Sequence, residues 1–263
     1  MDILPYTYLL NAFLMVAVPL LLAYLLVRKF KMGWNTFFAG AVVFLLAQVI
    51  YGFFTRGATT ILNNTGLIYW SETAKMIFNA VFLGLSAALV EEGMRYILLR
   101  WWSRDLRSWK EGVLFGTGHG GAEAVVLGVF AFFYVTQMIQ ARGVDMTNIV
   151  DANQVQAATE MVQRFWSAPW YNTFITGLDS LFFVAIQLGL ATMVVLSFRE
   201  SKPAWFVLAI VFHAVAAIIR ESDYFLGIYW TEALLAVCAG LAIFLVFFLR
   251  RRDPEETVEA KSS

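Results

Sequence analysis

The stretch Ile77-Phe78-Asn79-Ala80-Val81-Phe82-Leu83-Gly84-Leu85-Ser86-Ala87-Ala88-Leu89-Val90 runs straight into Glu91-Glu92-Gly93-Met94-Arg95-Tyr96-Ile97-Leu98-Leu99. A membrane-spanning helix needs about 20 predominantly apolar residues, and 74–99 supplies them. An ionised side chain near the centre of such a helix costs about 2.5–3.5 kcal/mol on insertion scales. Two carboxylates and a guanidinium inside one span therefore ask for a reason beyond solvation.

Working outward, six further apolar runs have spanning length: 5–27, 35–55, 112–140, 173–198, 204–221 and 226–249. The chain of 263 residues is 60% hydrophobic and 14% charged, with a mean hydropathy of +0.69. Soluble domains carry about 25% charged residues, so a soluble fold and a disordered chain are both excluded. Alternating period-2 patterning is missing, which argues against a transmembrane barrel. The reading is an all-α polytopic helix bundle of about seven spans, a single transmembrane domain over 1–249 and a short tail over 250–263. Lys and Arg total 19 against 19 Asp and Glu. No basic excess answers nucleic-acid phosphate; lipid is the expected surrounding. The lone Cys238 cannot form an intramolecular disulfide. No basic residue precedes the first apolar run, so that run is read as a retained helix rather than a cleaved signal.

Basic residues orient the bundle. One set of loops holds Arg28, Lys29, Lys31, Arg100, Arg104, Arg107, Lys110, Arg199, Lys202, Arg250, Arg251, Arg252 and Lys261, thirteen in all. The opposite set holds five: Arg56, Lys75, Arg142, Arg164 and Arg220. The positive-inside rule puts the thirteen in the cytoplasm, the N-terminus outside and the C-terminal tail inside. The longest loop, 141–172, then lies outside. Its Phe165, Trp166, Trp170 and Tyr171 suggest a segment resting at the lipid headgroups.

Both histidines of the chain, His119 and His213, fall within spans. Glu92 and Arg95 are i,i+3 and Glu91 and Arg95 are i,i+4, so both carboxylates flank the guanidinium. His119 and Glu123 share the i,i+4 relation on the fourth span. Depth ties the helices together. Glu91 and Glu92 lie about 11–12 Å from the cytoplasmic end of their span at 1.5 Å per residue. His119, Gln187 and His213 lie at similar levels on three other spans. Glu123 is about one turn deeper, and Asp179 is nearer the outer face. Gly112, Gly116, Gly120, Ala124 and Gly128 repeat every four residues on the fourth span, a stripe that lets a neighbouring backbone come close.

Two adjacent carboxylates in a low-dielectric site resist ionising together. One of them, Glu91 or Glu92, could act as a general base toward water, with an imidazole holding that water or a developing oxyanion. Equally, His119, His213 and Glu92 could bind zinc with an open fourth position. Either arrangement suits peptide hydrolysis in a water-filled cavity between helices.

The ordered set Glu91-Glu92-x-x-Arg95, Phe115-x-x-x-His119 and His213 resembles the YhfC family of intramembrane proteases, with Gly118-His119-Gly120-Gly121-Ala122-Glu123 the most similar segment. That family is grouped with the type II CAAX prenyl endopeptidases and the bacteriocin-processing proteases. The resemblance covers spans three to six. It implies an intramembrane endopeptidase of a prokaryotic cell membrane, acting on a membrane-associated peptide or protein. Catalytic roles would fall on Glu91, Glu92, Arg95, His119 and His213, with Glu123 and Gln187 behind them. The cofactor implied is zinc, or none if the glutamate works alone. The chain departs from the pattern twice. Ala217 stands where CAAX relatives carry a polar residue four after the histidine. Asp179 and Gln187 stand where an acid and a histidine are the family's pattern. A non-catalytic scaffold, like the Aph-type subunit of gamma-secretase in the wider superfamily, is the alternative these departures leave, and a proton-coupled transporter is a third.

Overall fold

The structure, a computed structural model, describes residues 2–66 and 69–253. The tail is therefore described only as far as Asp253, and Lys261 lies outside the described residues. Among the described residues seven helices are long and apolar enough to cross a membrane. They are α1 (Leu4–Phe30), α2 (Asn35–Asn64), α3 (Glu72–Ile97), α4 (Trp109–Gln140), α6 (Asn172–Arg199), α7 (Ala204–Glu221) and α9 (Ile228–Arg250). A short α5 (Val155–Ser167) lies in the outer loop, and α8 (Asp223–Leu226) joins α7 to α9. The protein is an integral, multi-pass membrane protein.

Local sequence explains the ends. Ser108 opens α4 with a capping box: its hydroxyl accepts from the Glu111 N–H, and Glu111 Oε2 accepts from the Ser108 N–H at 2.8 Å. Ser71 caps α3 in the same sense, accepting from the Ala74 N–H. α2 runs on past the apolar run 35–55 to Asn64, through a more polar stretch that includes Arg56, Thr59, Thr60 and Asn63. α3 widens into a π-helical turn over Leu98–Trp102 before the chain leaves the membrane.

Five helices close a ring: α2 packs on α3, α3 on α7, α7 on α6, α6 on α4, and α4 back on α2. α1 covers α4 and α6 from outside the ring, and α9 covers α6. α4 is the axis of this arrangement, and its glycines show why. Four residues advance an α-helix by slightly more than one turn, so a four-residue stripe drifts by about 40° per step. Gly112, Gly116 and Gly120 accordingly face Thr192, Leu188 and Val184 of α6, whereas Gly128 has turned to Ala12 and Val16 of α1. Off the stripe, Gly118 meets the Phe37 carbonyl, and on α2 Gly40 meets the Phe115 carbonyl. These bare positions let α2 and α4 touch backbone to backbone in their N-terminal halves. Gly118→Val should therefore destabilise the bundle by about 1–3 kcal/mol, as overpacking does. A lowered unfolding midpoint in detergent checks it, and an unchanged midpoint would mean the helices separate at no cost.

The outer loop is anchored to the bundle. Phe165 of α5 is buried against Leu4, Val135 and Met138, and its ring stacks on Tyr8 at 4.8 Å. Trp166 donates to the Met138 carbonyl at 3.3 Å. Only Trp170 and Tyr171 of the four loop aromatics stand about half exposed, as headgroup-level rings do.

Candidate functional site

Glu91 and Glu92 are neighbours in sequence, yet a helix turns about 100° between consecutive residues, so their side chains part. Glu92 is fully buried, as is Arg95. Arg95 Nη1 donates to both Glu92 oxygens at 2.6 Å. Arg95 Nη2 turns across to the Gln187 Oε1 on α6. His213 Nδ1 completes this half, 2.9 Å from Glu92 Oε1. A carboxylate gripped by a guanidinium accepts hydrogen bonds only. The His213 Nδ1 therefore carries the proton of that contact, and its Nε2 is left to face elsewhere.

It faces Glu91. His213 Nε2 lies 3.7 Å from Glu91 Oε2, and His119 Nε2 lies 3.0 Å from the same oxygen. Gln187 Nε2 donates to Oε2 at 3.2 Å, and Gln48 Nε2 donates to Oε1 at 2.9 Å. The His119 ring packs edge-on against Phe44. Its Nδ1 is buried without a hydrogen-bond partner, as is Arg95 Nε. The two carboxylates thus divide the work. Glu92 is locked between Arg95 and His213, while Glu91 lines a cavity of about 400 Å³ together with His213.

Five helices deliver this cluster: α2 (Gln48), α3, α4 (His119), α6 (Gln187) and α7 (His213). The structure joins Glu91, Glu92, Arg95, His119, His213 and Gln187 in one hydrogen-bonded network. It does not join Glu123 to His119. Glu123 instead accepts from Arg220 Nη1 at 2.6 Å, and Arg220 Nη2 is 2.6 Å from Asp179. Arg220, read from sequence as an outer-loop residue, ends α7 and turns inward, where it holds both acids. Gln48 was not among the residues read as functional. Its signal was faint but present: it is the one amide in the interior of the apolar run 35–55, which otherwise carries only Asn35 at its first position.

The donor set has the chemistry of a zinc site. Zinc takes imidazole nitrogen and carboxylate oxygen at about 2.0–2.2 Å, and a ligating histidine commonly gives its other N–H to a carboxylate. His213 does so through Glu92. The Nε2 atoms of both histidines face one Glu91 oxygen, so Glu91, and not Glu92 as the sequence suggests, is the carboxylate set before the imidazoles, and Glu92 stands behind His213. Among the described residues no three of His, Cys, Asp or Glu form a preassembled metal cage.

Residues 14–252 match the family described as YhfC intramembrane metalloprotease. A Bacillus subtilis (strain 168) protein named uncharacterized membrane protein YhfC is 22% identical over 232 residues, covering 85% of this chain and 88% of that protein. No solved structure matches the chain at a significant level.

Proposed function

Because the chain belongs to the YhfC intramembrane metalloprotease family, we propose that it hydrolyses a peptide bond of a membrane-associated substrate with Glu91 as the base. One observation carries this reading: a cavity-lining carboxylate has two imidazole Nε2 atoms turned to a single oxygen. Gln48 and Gln187 hold that carboxylate still from either side. A water lodged beside Glu91 would give its proton to Oε1, the oxygen not shared with the imidazoles. The hydroxide equivalent attacks the scissile carbonyl carbon, the C–N bond breaks, and Glu91 returns the proton to the departing amine. Arg95 keeps Glu92 in place, and Glu92 keeps His213 in the tautomer whose Nε2 is free toward the chamber. His119 and His213 would hold a zinc ion beside Glu91. When bound, zinc supplies a Lewis acid that polarises the carbonyl and eases loss of the water proton.

The test is cleavage of a membrane-inserted reporter peptide by the purified protein in proteoliposomes, with metal content measured on the same samples. His119→Ala and His213→Ala should each lose zinc and cleavage together. Full processing by both variants would overturn the assignment. Loss of cleavage with no metal in the unaltered protein would leave Glu91 as the base and remove zinc from the scheme. Ala217, buried in the cavity wall where CAAX relatives carry a polar group, favours a second reading, a scaffold that holds a partner helix. That reading expects Glu91→Gln to release a co-purifying partner with no cleavage in either form.

A further inference from the structure

The cavity lies almost wholly on one side of the catalytic cluster, and this decides where substrate comes from. α2, α4 and α7 run from the cytoplasmic to the outer side, whereas α3 and α6 run back, as the basic loops assign. On α4 the cavity begins at Glu123, one turn outward of His119, and continues along Val126, Leu127 and Phe130. On α7 it continues outward from His213 through Ala217 to Arg220 and Glu221. Ala87 of α3 and Phe183 of α6 are each four residues outward of Glu91 and Gln187. The cytoplasmic side of the cluster is different. Phe115, Val43 and Ala191 are buried there with Met94, Leu98 and Leu106 packed against them. This apolar plug separates the cluster from a small cytoplasmic pocket lined by Asn35, Ala39 and Ser103.

A mouth follows from how the helices diverge. α2 and α4 touch at Gly40 and Gly118, in their N-terminal halves. Farther out, α2 leans on α3, with the Tyr51 hydroxyl reaching the Leu83 carbonyl and Phe54 stacked on Phe82. The outer half of α4 leans the other way, with Gly128 on α1 and Tyr134 on Phe165 of α5. Between them the cavity wall includes Tyr51 of α2 and Phe130 of α4, the latter 65% exposed, while Leu45, 51% exposed, lies about one turn cytoplasmic of Gln48. The charge of this outer chamber is acidic. Glu91, Glu123 and Glu221 line it against the single cation Arg220, which is already shared with Asp179.

We infer that substrate reaches Glu91 from the outer leaflet, through the opening between the outer halves of α2 and α4. The substrate is then an apolar membrane segment whose outward flank is neutral or basic. An acidic flank meets a chamber with more carboxylates than cations. This rests on the protease reading for its purpose, but its test does not depend on cleavage.

The test is sidedness of thiol labelling. With Cys238→Ala as background, Leu127→Cys places a thiol in the chamber wall and Ala39→Cys places one in the cytoplasmic pocket. The probes are membrane-impermeant methanethiosulfonates, one carrying trimethylammonium and one carrying sulfonate. In intact cells Leu127→Cys should be modified and Ala39→Cys spared; inside-out vesicles should reverse the pattern. The cationic probe should react with Leu127→Cys at least about tenfold faster than the anionic one, because a cleft of one sign concentrates its counter-ion. Modification of Leu127→Cys from the cytoplasmic side alone would overturn the inference, whatever the cleavage assay shows. Equal rates for the two probes would overturn the acidic chamber. Val126→Cys, on the same wall, serves if Leu127→Cys fails to fold.

Discussion

Glu91→Gln should leave the protein folded and slow peptide cleavage by about 10³-fold, within the range that loss of a positioned general base produces. Glutamine has nearly the shape of glutamate. The Gln187 amide keeps an oxygen to donate to, and Gln48 has only to rotate so that its own oxygen accepts from the new amide. The fold does not depend on this charge, because Arg95 is answered by Glu92 and Gln187. Rates measured in proteoliposomes, paired with thermal unfolding midpoints in detergent, check both halves. Cleavage within tenfold of the unaltered protein would show that another group takes the proton. Glu92→Gln should differ in kind, losing stability as well as rate, since it frees a buried guanidinium.

The largest stability effect belongs to Arg95. Arg95→Met removes a wholly buried cation from Glu92, which is also wholly buried. Breaking a buried pair by deleting one partner costs about 3–5 kcal/mol, because the remaining charge has no water to turn to. Folded yield should fall sharply. Replacing the pair together is another matter: buried ion pairs exchanged for apolar residues of similar volume are often neutral in stability. Arg95→Met combined with Glu92→Leu should therefore recover at least half of the lost midpoint. It should not recover cleavage, because His213 Nδ1 has lost the carboxylate that sets its tautomer. Recovery of both would reduce Glu92 and Arg95 to packing alone.

The seven spans were legible because lipid demands long apolar runs and because Arg and Lys gather on one side of them. Depth along each span was legible too, since a helix rises by a constant amount per residue. That is how His119, Gln187 and His213 could be set level with Glu91 and Glu92 on paper. What spacing cannot state is the rotation of one helix against another. The i,i+4 relation between His119 and Glu123 suggested one shared point, but Glu123 goes to Arg220 and His119 to Glu91. The choice between adjacent Glu91 and Glu92 likewise rests on which neighbour lies at each face: Arg95 and α7 for one, the cavity for the other. Arg220 was hidden by position. A cation at the end of a span reads as a loop charge until Asp179 and Glu123 are seen beneath it. Gln48 was hidden by isolation, since one amide in the interior of an apolar run has no charged neighbour on its own helix face to mark it.

The start of α4 holds one more consequence. Its first backbone N–H, at Trp109, donates to Asp253 Oδ2 at 2.6 Å, and Arg199 at the end of α6 grips the same carboxylate at 2.8 Å. An unfilled donor at a helix start is normally satisfied nearby in sequence; here the acceptor arrives 144 residues later. During synthesis, then, the Ser108–Glu111 capping box can close the start of α4 locally, but the Trp109 N–H has still to meet Asp253. Only when the last span has crossed and residue 253 has cleared the ribosome does that contact form. A growing chain therefore holds Glu91, Glu92, His119 and His213 before it holds the carboxylate that ties the start of α4 to the end of α6.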